Sequence, residues 1–238
     1  MSSTTPSSRR PAAGAETTSR AGGGTPGTPR AAEERLAPAA AAGGTAVKTS
    51  SRDRLLDAAA DLFYRQGVGI GIDALCKAAG VSKRSMYQLF GSKDDMLAAA
   101  LDRQQARIGA RLMPPRGAPA DPRARLLYVF ERLEEIAGLP DYWGCPYLAT
   151  QVELKDPAHP ASVVAAGAKQ RITDFFRAEA ERAGAADPDL LARRLTLVYD
   201  GGAARAGIKA DALDGLAVST AAALLDAAGV TGPPVPSD

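Results

Sequence analysis

The sequence predicts an all-α protein. Apolar residues recur at spacings of three and four along most of the chain, whereas the alternation typical of a β-strand persists in no window. Residues that begin or end helices stand at the edges of these patterns, with Asp187-Pro188 at one start and Gly138 and Gly184 at two ends. We therefore expect helices and no sheet.

The composition excludes several classes of function. The chain has 238 residues, and 29 Lys and Arg nearly balance 27 Asp and Glu, so the molecule as a whole is not a basic binder of nucleic acid or membranes. Two cysteines and one histidine cannot supply a zinc site with four such ligands or a disulfide scaffold. No run of about 18 apolar residues is present. We predict a cytoplasmic protein with no metal, no cofactor and no membrane contact.

Residue types divide the chain into three zones. Residues 1–48 contain no Phe, Tyr, Trp or Ile and cannot bury enough apolar area to offset the entropy of ordering, so we predict a disordered, low-complexity tail. Residues 49–98 show three short helical patterns separated by tight turns. Residues 99–230 show longer helical patterns and are predicted to form a second, helical domain.

The first predicted helix covers residues 52–66, and a short second helix covers 72–79. The apolar face of the first consists of Leu55, Leu56, Ala59, Leu62 and Phe63. The apolar face of the second consists of Ile72, Leu75 and Cys76. Gly80 tolerates the positive φ that a tight turn requires and ends this helix, and Val81 is predicted to point inward from the turn.

The third predicted helix covers residues 83–90 and begins after Ser82, a good N-cap residue. Met86 and Phe90 are predicted to face the core. The opposite face is polar and cationic and carries Lys83, Arg84, Ser85, Tyr87 and Gln88. Two short helices joined by a turn with glycine, the second polar and cationic on its outer face, are typical of a helix-turn-helix.

Such a helix fits the major groove of DNA, where each base pair presents a different pattern of donors and acceptors. We expect Arg84 to make a bidentate contact with guanine and Gln88 to make one with adenine. Ser85 is suited to a base edge or to a phosphate. These three side chains are the candidates for recognising the DNA sequence.

Phosphate contacts fix the register of a protein on the duplex and do not depend on the sequence. Lys83, Tyr87 and Lys93 have side chains suited to this role. The Ser92-Lys93 pair also begins a further helix, whose first backbone N–H groups can bind an anion. With the N-cap Ser82, these residues complete the predicted DNA-binding surface.

At these residues the chain resembles the TetR family of transcriptional regulators. The resemblance covers residues 52–98, and its motifs are Leu56-Asp57-Ala58-Ala59, Leu62-Phe63, Ala79-Gly80-Val81-Ser82, Met86-Tyr87 and Ser92-Lys93. It implies a three-helix DNA-binding domain followed by an all-helical ligand-binding and dimerisation domain, and repression relieved by a small molecule. The family's phosphate-contacting tyrosine corresponds to Tyr87, and the lysine of its fourth helix corresponds to Lys93.

Two positions depart from the family's pattern. The cap of the second helix is commonly Thr or Ser and here is Gly71, which removes a hydroxyl group and any phosphate contact that it makes. The residue before the phenylalanine is often His or Tyr and here is Leu89. We therefore expect the DNA affinity to depend more on Lys83 and Arg84.

Longer helical patterns follow at residues 123–137, 161–183, 188–204 and 211–228. An aromatic-rich segment lies between the first two, and its Gly-Cys-Pro-aromatic sequence resembles the start of the sixth helix in a TetR subgroup. The resemblance places an effector pocket in this region. Its candidate residues are Trp143, Cys145, Tyr147, Phe176 and Tyr199, with Gln151 as a polar anchor. The alternative is that these aromatic side chains belong to the core.

The resemblance also implies that the last two helices pair with a second subunit in a four-helix bundle. Gly201-Gly202 lies inside the pattern of the first of these helices, where glycine lowers helix stability. A close approach of two backbones at the bundle interface compensates for this loss, and a local kink is the alternative.

Two segments are open to different interpretations. Gly67-Val-Gly-Ile-Gly71 is not a G-x-G-x-x-G motif and follows a helix, so a flexible turn is favoured over a phosphate-binding loop. Cys145 with His159 as its base would make a thiol enzyme, although no orienting partner is evident. Cys145 as a redox-responsive thiol is a stronger alternative, and it requires an exposed sulfur with a lowered pKa.

The predicted function is that of a DNA-binding transcriptional regulator and not of an enzyme. We expect a homodimeric repressor that contacts both halves of a palindromic operator in successive major grooves. An activator, or a DNA-binding protein that does not repress, is the alternative. A small organic effector of unknown identity would favour a dimer spacing that no longer matches these grooves.

Overall fold

The computed structural model describes residues 49–117 and 119–232, so the predicted tail at residues 1–48 lies outside the described residues. This part of the chain contains nine helices and no strand. They are Ser51–Gln66 (α1), Ile72–Ala79 (α2), Lys83–Phe90 (α3), Lys93–Leu112 (α4), Pro122–Ala137 (α5), Pro146–Leu154 (α6), Pro160–Arg182 (α7), Pro188–Gly207 (α8) and Leu216–Ala227 (α9). The prediction of an all-α protein is confirmed.

The three amino-terminal helices pack around a small apolar centre. Leu55 of α1, Leu75 of α2 and Met86 of α3 are fully buried. The helix α4 then runs from this centre along α1 on one side and along α7 on the other. Its continuous length joins the amino-terminal helices to the rest of the molecule.

The carboxyl-terminal helices form a second apolar centre. Phe130 of α5 and Phe176 of α7 are fully buried and stack with their rings nearly parallel, 5.6 Å between centroids. α8 packs on α7, and α9 packs on both α5 and α8. None of the described helices combines the length and the unbroken apolar character that a bilayer crossing requires.

The last helix begins at Leu216, not at Asp211 as the apolar pattern predicts. Lys209 and Asp214 have positive φ angles of 56° and 42°, which a continuous α-helix does not allow. The first turn of α9 has no side-chain cap of its own. The carboxylate of Glu134 on α5 accepts hydrogen bonds from three of its backbone N–H groups instead, those of Gly215, Ala217 and Val218, at 2.8–3.0 Å.

Of the two glycines predicted to lie at the subunit interface, Gly202 packs within its own chain. An added Cβ on Gly202 would lie 3.3 Å from Cδ2 of Leu133, so this glycine packs against α5 of its own chain. Gly201 is exposed, and no atom would meet an added Cβ there. Two backbones do approach closely, but at Gly207, where an added Cβ would lie 2.7 Å from Cα of Gly144.

Candidate nucleic-acid interface

The turn between α2 and α3 sets the direction of α3. Gly80 adopts a left-handed conformation with φ of 61°, which residues other than glycine rarely adopt. The N–H of Val81 donates to the carbonyl of Cys76 at 3.0 Å and closes the turn. Val81 itself is half-buried against the core, as predicted. The buried Met86 and Phe90 then hold one side of α3 against α1 and α2.

The first turn of α3 is capped as the sequence predicts. The hydroxyl of Ser82 accepts the N–H of Ser85 at 3.1 Å, and the two hydroxyl oxygens lie 2.9 Å apart. Ser82 is exposed and Ser85 is half-buried. Both hydroxyl groups therefore lie at the accessible amino-terminal end of α3.

The outer face of α3 points into solvent. Arg84 and Gln88 are exposed, and no hydrogen bond or ion pair ties either side chain to another described residue. The ring of Tyr87 is 49% exposed, and Leu89 beside it is also exposed. These side chains are free to contact another molecule, as the sequence predicts.

Lys83 has a partner that sequence patterns do not reveal. Its Nζ lies 2.7 Å from Oδ1 of Asp73 on α2. This hydrogen bond and the charge of Asp73 raise the pKa of Lys83. The ammonium group remains exposed, so Asp73 orients it without removing it from the surface.

Two arginines of α1 also belong to this region and were not predicted as site residues. The guanidinium of Arg52 lies 5.1 Å from the ring centre of Phe90, which places a cation beside the end of α3. Arg54 donates to the carbonyls of Ala79 and Thr49, at 3.1 and 2.9 Å, and so fixes the end of α2 to α1. Arg52 is exposed, so its charge lies on the outer surface.

The start of α4 lies after the end of α3. The hydroxyl of Ser92 accepts the N–H of Asp95 at 3.0 Å, and this cap orients the first turn of α4. Lys93 is half-buried at the first position of the helix and makes no ion pair with a described residue. Its ammonium group is available to an external anion.

The predicted effector residues fall into two groups. Cys145, Tyr147, Phe176 and Tyr199 are buried, and Gln151 is half-buried. Trp143 is instead 47% exposed, with Nζ of Lys209 lying 5.6 Å from its ring centre. Trp143 therefore lies on the surface, apart from the buried aromatic side chains.

A charged pair lies beside the buried Tyr199. Lys169 of α7 forms a mostly buried ion pair with Asp200 of α8, and its Nζ lies 4.6 Å from the ring centre of Tyr199. Neither charge was predicted as a site residue, because each lies alone within an ordinary helical pattern. Among the described residues, no three Cys, His, Asp or Glu side chains could together hold a metal ion.

Cys145 does not have the surroundings that a reactive thiol requires. It is 7% exposed, and burial raises the pKa of its thiol despite the opposing charge of Lys169. His159 is not its base. Nδ1 of His159 accepts the N–H of Ala161 at the start of α7, and Nε2 lies 3.4 Å from a carboxylate oxygen of Asp94.

Comparisons with known proteins agree on one family. Residues 55–100 match the model of the bacterial regulatory proteins of the tetR family. Two HTH-type transcriptional regulators from strains of Mycobacterium tuberculosis are 37% identical over 76 residues, which is 32% of this chain and 38% of each relative. The match thus spans well under half the length of these relatives.

Solved structures extend the similarity over most of the chain. A crystal structure of a protein assigned as a TetR transcriptional regulator, from Streptomyces avermitilis, is 63% identical with a TM-score of 0.75; the match covers 76% of this chain and all of that one. A TetR-family regulator from Streptomyces coelicolor is 26% identical with a TM-score of 0.69, over 75% of this chain and 95% of that one.

Proposed function

Because the chain belongs to the TetR family of DNA-binding transcriptional regulators, we propose that it is a homodimeric repressor. Each subunit inserts α3 into the major groove at one half of a near-palindromic operator. A small organic effector binds among the carboxyl-terminal helices and releases the operator.

One observation carries the DNA-binding part of this proposal. Met86 and Phe90 are buried on one side of α3, while Arg84, Tyr87 and Gln88 are exposed on the other. A helix held in this way by its apolar side presents its polar side chains to a groove without rearrangement.

The roles of the exposed side chains follow from their chemistry. Arg84 and Gln88 are one turn apart on α3 and contact the edges of neighbouring base pairs, guanine and adenine respectively. Ser82, Ser85 and Tyr87 contact the phosphates or base edges that flank them.

Cations around α3 complete the contact with the duplex. Lys83, Lys93 and Arg52 contact phosphates, and they set the affinity for DNA of any sequence. Lys93 is half-buried at the start of α4, and its phosphate contact fixes the register of the protein on the duplex.

The exposed faces of α8 and α9 support dimerisation. Leu197, Ile208 and Leu216 are 74%, 77% and 54% exposed, although large apolar side chains are usually buried. The exposed residues Leu190, Leu197, Gly201 and Ala204 of α8, and Ile208 just after it, recur at helical spacing. A second copy of the chain would bury this face in the four-helix bundle.

Effector binding favours one dimer geometry over another. The buried Tyr147 and Tyr199, with the Lys169–Asp200 pair beside Tyr199, are the groups of the carboxyl-terminal helices best suited to hold an organic molecule with a polar end. An effector that binds one spacing of the two α3 helices more tightly shifts the population toward it.

Selection of binding sites from random duplex DNA tests the proposal. The wild-type protein should select a near-palindrome whose half-sites are one helical turn apart, or a multiple of a turn. Arg84→Ala should lose about 1–3 kcal/mol of discrimination at one base pair of each half-site. Arg107→Ala, which changes an exposed arginine of α4, is the matched control and should keep the wild-type profile. An unchanged profile for Arg84→Ala would refute the base contact.

A further inference from the structure

A small cavity lies between α1, α4 and α6, at the junction of the amino-terminal helices with the rest of the chain. Its volume is about 70 Å³. Most of its wall is apolar and includes the rings and methyl groups of Phe63, Leu97 and Leu101. Four polar side chains also reach it, those of Tyr64, Gln104, Thr150 and Glu153.

Tyr64 and Glu153 differ in how many hydrogen bonds their side chains make. The hydroxyl of Tyr64 donates to the carbonyl of Gly144 at 3.1 Å and accepts the N–H of Trp143 at 2.8 Å, so both its roles are filled. The carboxylate of Glu153 accepts one N–H, that of Gly69, at 3.3 Å. Glu153 is exposed, and no Lys, Arg or His among the described residues forms an ion pair with it.

The carboxylate of Glu153 lies against the glycine-rich turn between α1 and α2. Gly67 has φ of +82°, and a Cβ added there would lie 2.7 Å from Oε1 of Glu153. The turn, for which the sequence predicts no binding role, therefore makes room for an acidic side chain of α6. It holds a negative charge at the edge of an apolar cavity.

We propose that this cavity binds a small organic cation, a short alkylammonium. The protonated nitrogen pairs with Glu153, and the alkyl chain lies against Phe63 and Leu97. A carboxylate without a cationic partner beside an apolar wall is complementary to this class of ligand. A volume of about 70 Å³ exceeds the roughly 10–15 Å³ that a single water needs, so the cavity has room for a short alkyl chain.

The position of the site gives binding a consequence, and this step rests on the proposed function. An ammonium group competes with the N–H of Gly69 for the same carboxylate oxygen. Its binding loosens the link between α6 and the turn that leads from α1 into α2 and α3. The ligand then favours a different placement of α3 and lowers the affinity for the operator.

Direct binding to the DNA-free protein tests the site. Ligand-detected NMR at pH 7 and constant ionic strength would compare n-butylammonium with 1-butanol and butyrate, which have similar size and different charge. We expect n-butylammonium to bind most tightly and butyrate least. Glu153→Gln should weaken n-butylammonium binding about tenfold or more and leave 1-butanol unchanged, since it removes a charged hydrogen-bond partner.

Two further variants test whether the ligand occupies this cavity and not the protein surface. Glu181→Gln removes an exposed carboxylate of α7 and should leave binding unchanged. Ala149→Leu adds a larger side chain to the cavity wall and should weaken n-butylammonium and 1-butanol alike. Thermal unfolding of each variant shows whether it is folded.

The proposal is overturned if n-butylammonium does not bind the wild-type protein, if 1-butanol binds equally well, or if Glu153→Gln binds the cation as the wild type does. Because these measurements use no DNA, they can fail while the protein still selects an operator. Loss of operator selection with intact cation binding would instead count against the proposed function alone.

Discussion

One acidic side chain lies close enough to α3 to compete with DNA for a cation. Asp73 and Lys83 are both exposed, so their attraction is weak and a phosphate group can replace it. The carboxylate of Asp73 also repels phosphates at the amino-terminal end of α3. Asp73 therefore orients Lys83 at some cost in affinity for DNA.

Removing the charge of Asp73 should tighten DNA binding. For Asp73→Asn we expect tighter binding, to operator and random DNA alike, because a repulsive charge is removed. If Lys83 gains a full phosphate contact, the slope of log K against log salt should steepen by about 0.9. Fluorescence anisotropy at several salt concentrations measures both quantities, with Asp214→Asn as an exposed control. Weaker binding would mean that orienting Lys83 matters more than the repulsion.

Cys145 provides a test at high pH. Its folded pKa is raised, so the unfolded chain loses the thiol proton first as the pH increases. The contribution of this thiol to stability is complete below the ordinary thiol pKa of about 8.5 and is lost as the pH rises toward the folded value. The thiol therefore favours the folded state at neutral pH and not in alkali.

Cys145→Ala should show a smaller loss of stability in alkali than the wild type. Urea unfolding at pH 7 and pH 10 would measure the free energy of unfolding of both proteins. Burial, the main cause of the raised pKa values of the buried tyrosines, is common to both proteins, and the smaller effect of the Cys145 charge on these pKa values is lost together with the thiol. In the folded wild type, alkylation of Cys145 at pH 8 should be slow until urea unfolds the chain. Rapid alkylation of the folded protein would restore the redox hypothesis.

The sequence predicted the free side chains of α3 but not their neighbours. The outer face of α3 follows from helical periodicity and from the turn at Gly80, both of which are local. The contacts of Asp73 with Lys83 and of Arg52 with Phe90 join different helices, and they depend on side-chain conformations that no spacing specifies.

Among the helices, α9 shows how a boundary can depend on a distant residue. The alanine-rich segment after Asp211 has a helical composition, but the acceptor for its first N–H groups is Glu134, which lies 81 positions before Gly215. A search for a local cap therefore places the start too early. By contrast, α2 and α3 have the predicted bounds, because Gly80 and Ser82 lie within the segment itself.

Removing the acceptor of the α9 N–H groups should destabilise the protein. Glu134→Ala leaves three partly buried N–H groups without their partner, and we expect a loss of about 2 kcal/mol in the free energy of unfolding. Glu134→Gln keeps one acceptor oxygen and should lose less. Urea unfolding provides the measurement, and Glu131→Ala, an exposed position of the same helix, is the control. Equal stability of all four proteins would show that solvent satisfies these groups.

For the whole molecule, the exposed apolar face of α8 predicts the oligomeric state. Leu197→Glu would place two like charges in a dimer interface, and we expect a loss of about 3 kcal/mol or more in dimer stability. Analytical ultracentrifugation should find a monomer that has lost affinity for the palindrome and retains weak affinity for a half-site. Val163→Glu, an exposed apolar position of α7, should remain dimeric. A dimeric Leu197→Glu protein would place the interface elsewhere.

The candidate effector site was the hardest part to predict. Residue type makes Tyr147 and Tyr199 candidates, but the Trp143 ring lies on the surface and the Lys169–Asp200 pair was not expected. The cavity beside Glu153 is formed by residues of three helices that are distant in the chain. Periodicity indicates which side of a helix is buried, but it does not indicate where packing leaves a space.

The crossing of two backbones at Gly144 and Gly207 limits how descendants of this sequence can diverge. A methyl group at position 207 would overlap main-chain atoms, which unlike a flexible side chain cannot turn aside. Residue 144 has φ of +95°, so alanine there is strained for a second reason. In a mutational library selected for a folded protein, we expect glycine to be retained at positions 144 and 207, even where neighbouring positions vary freely.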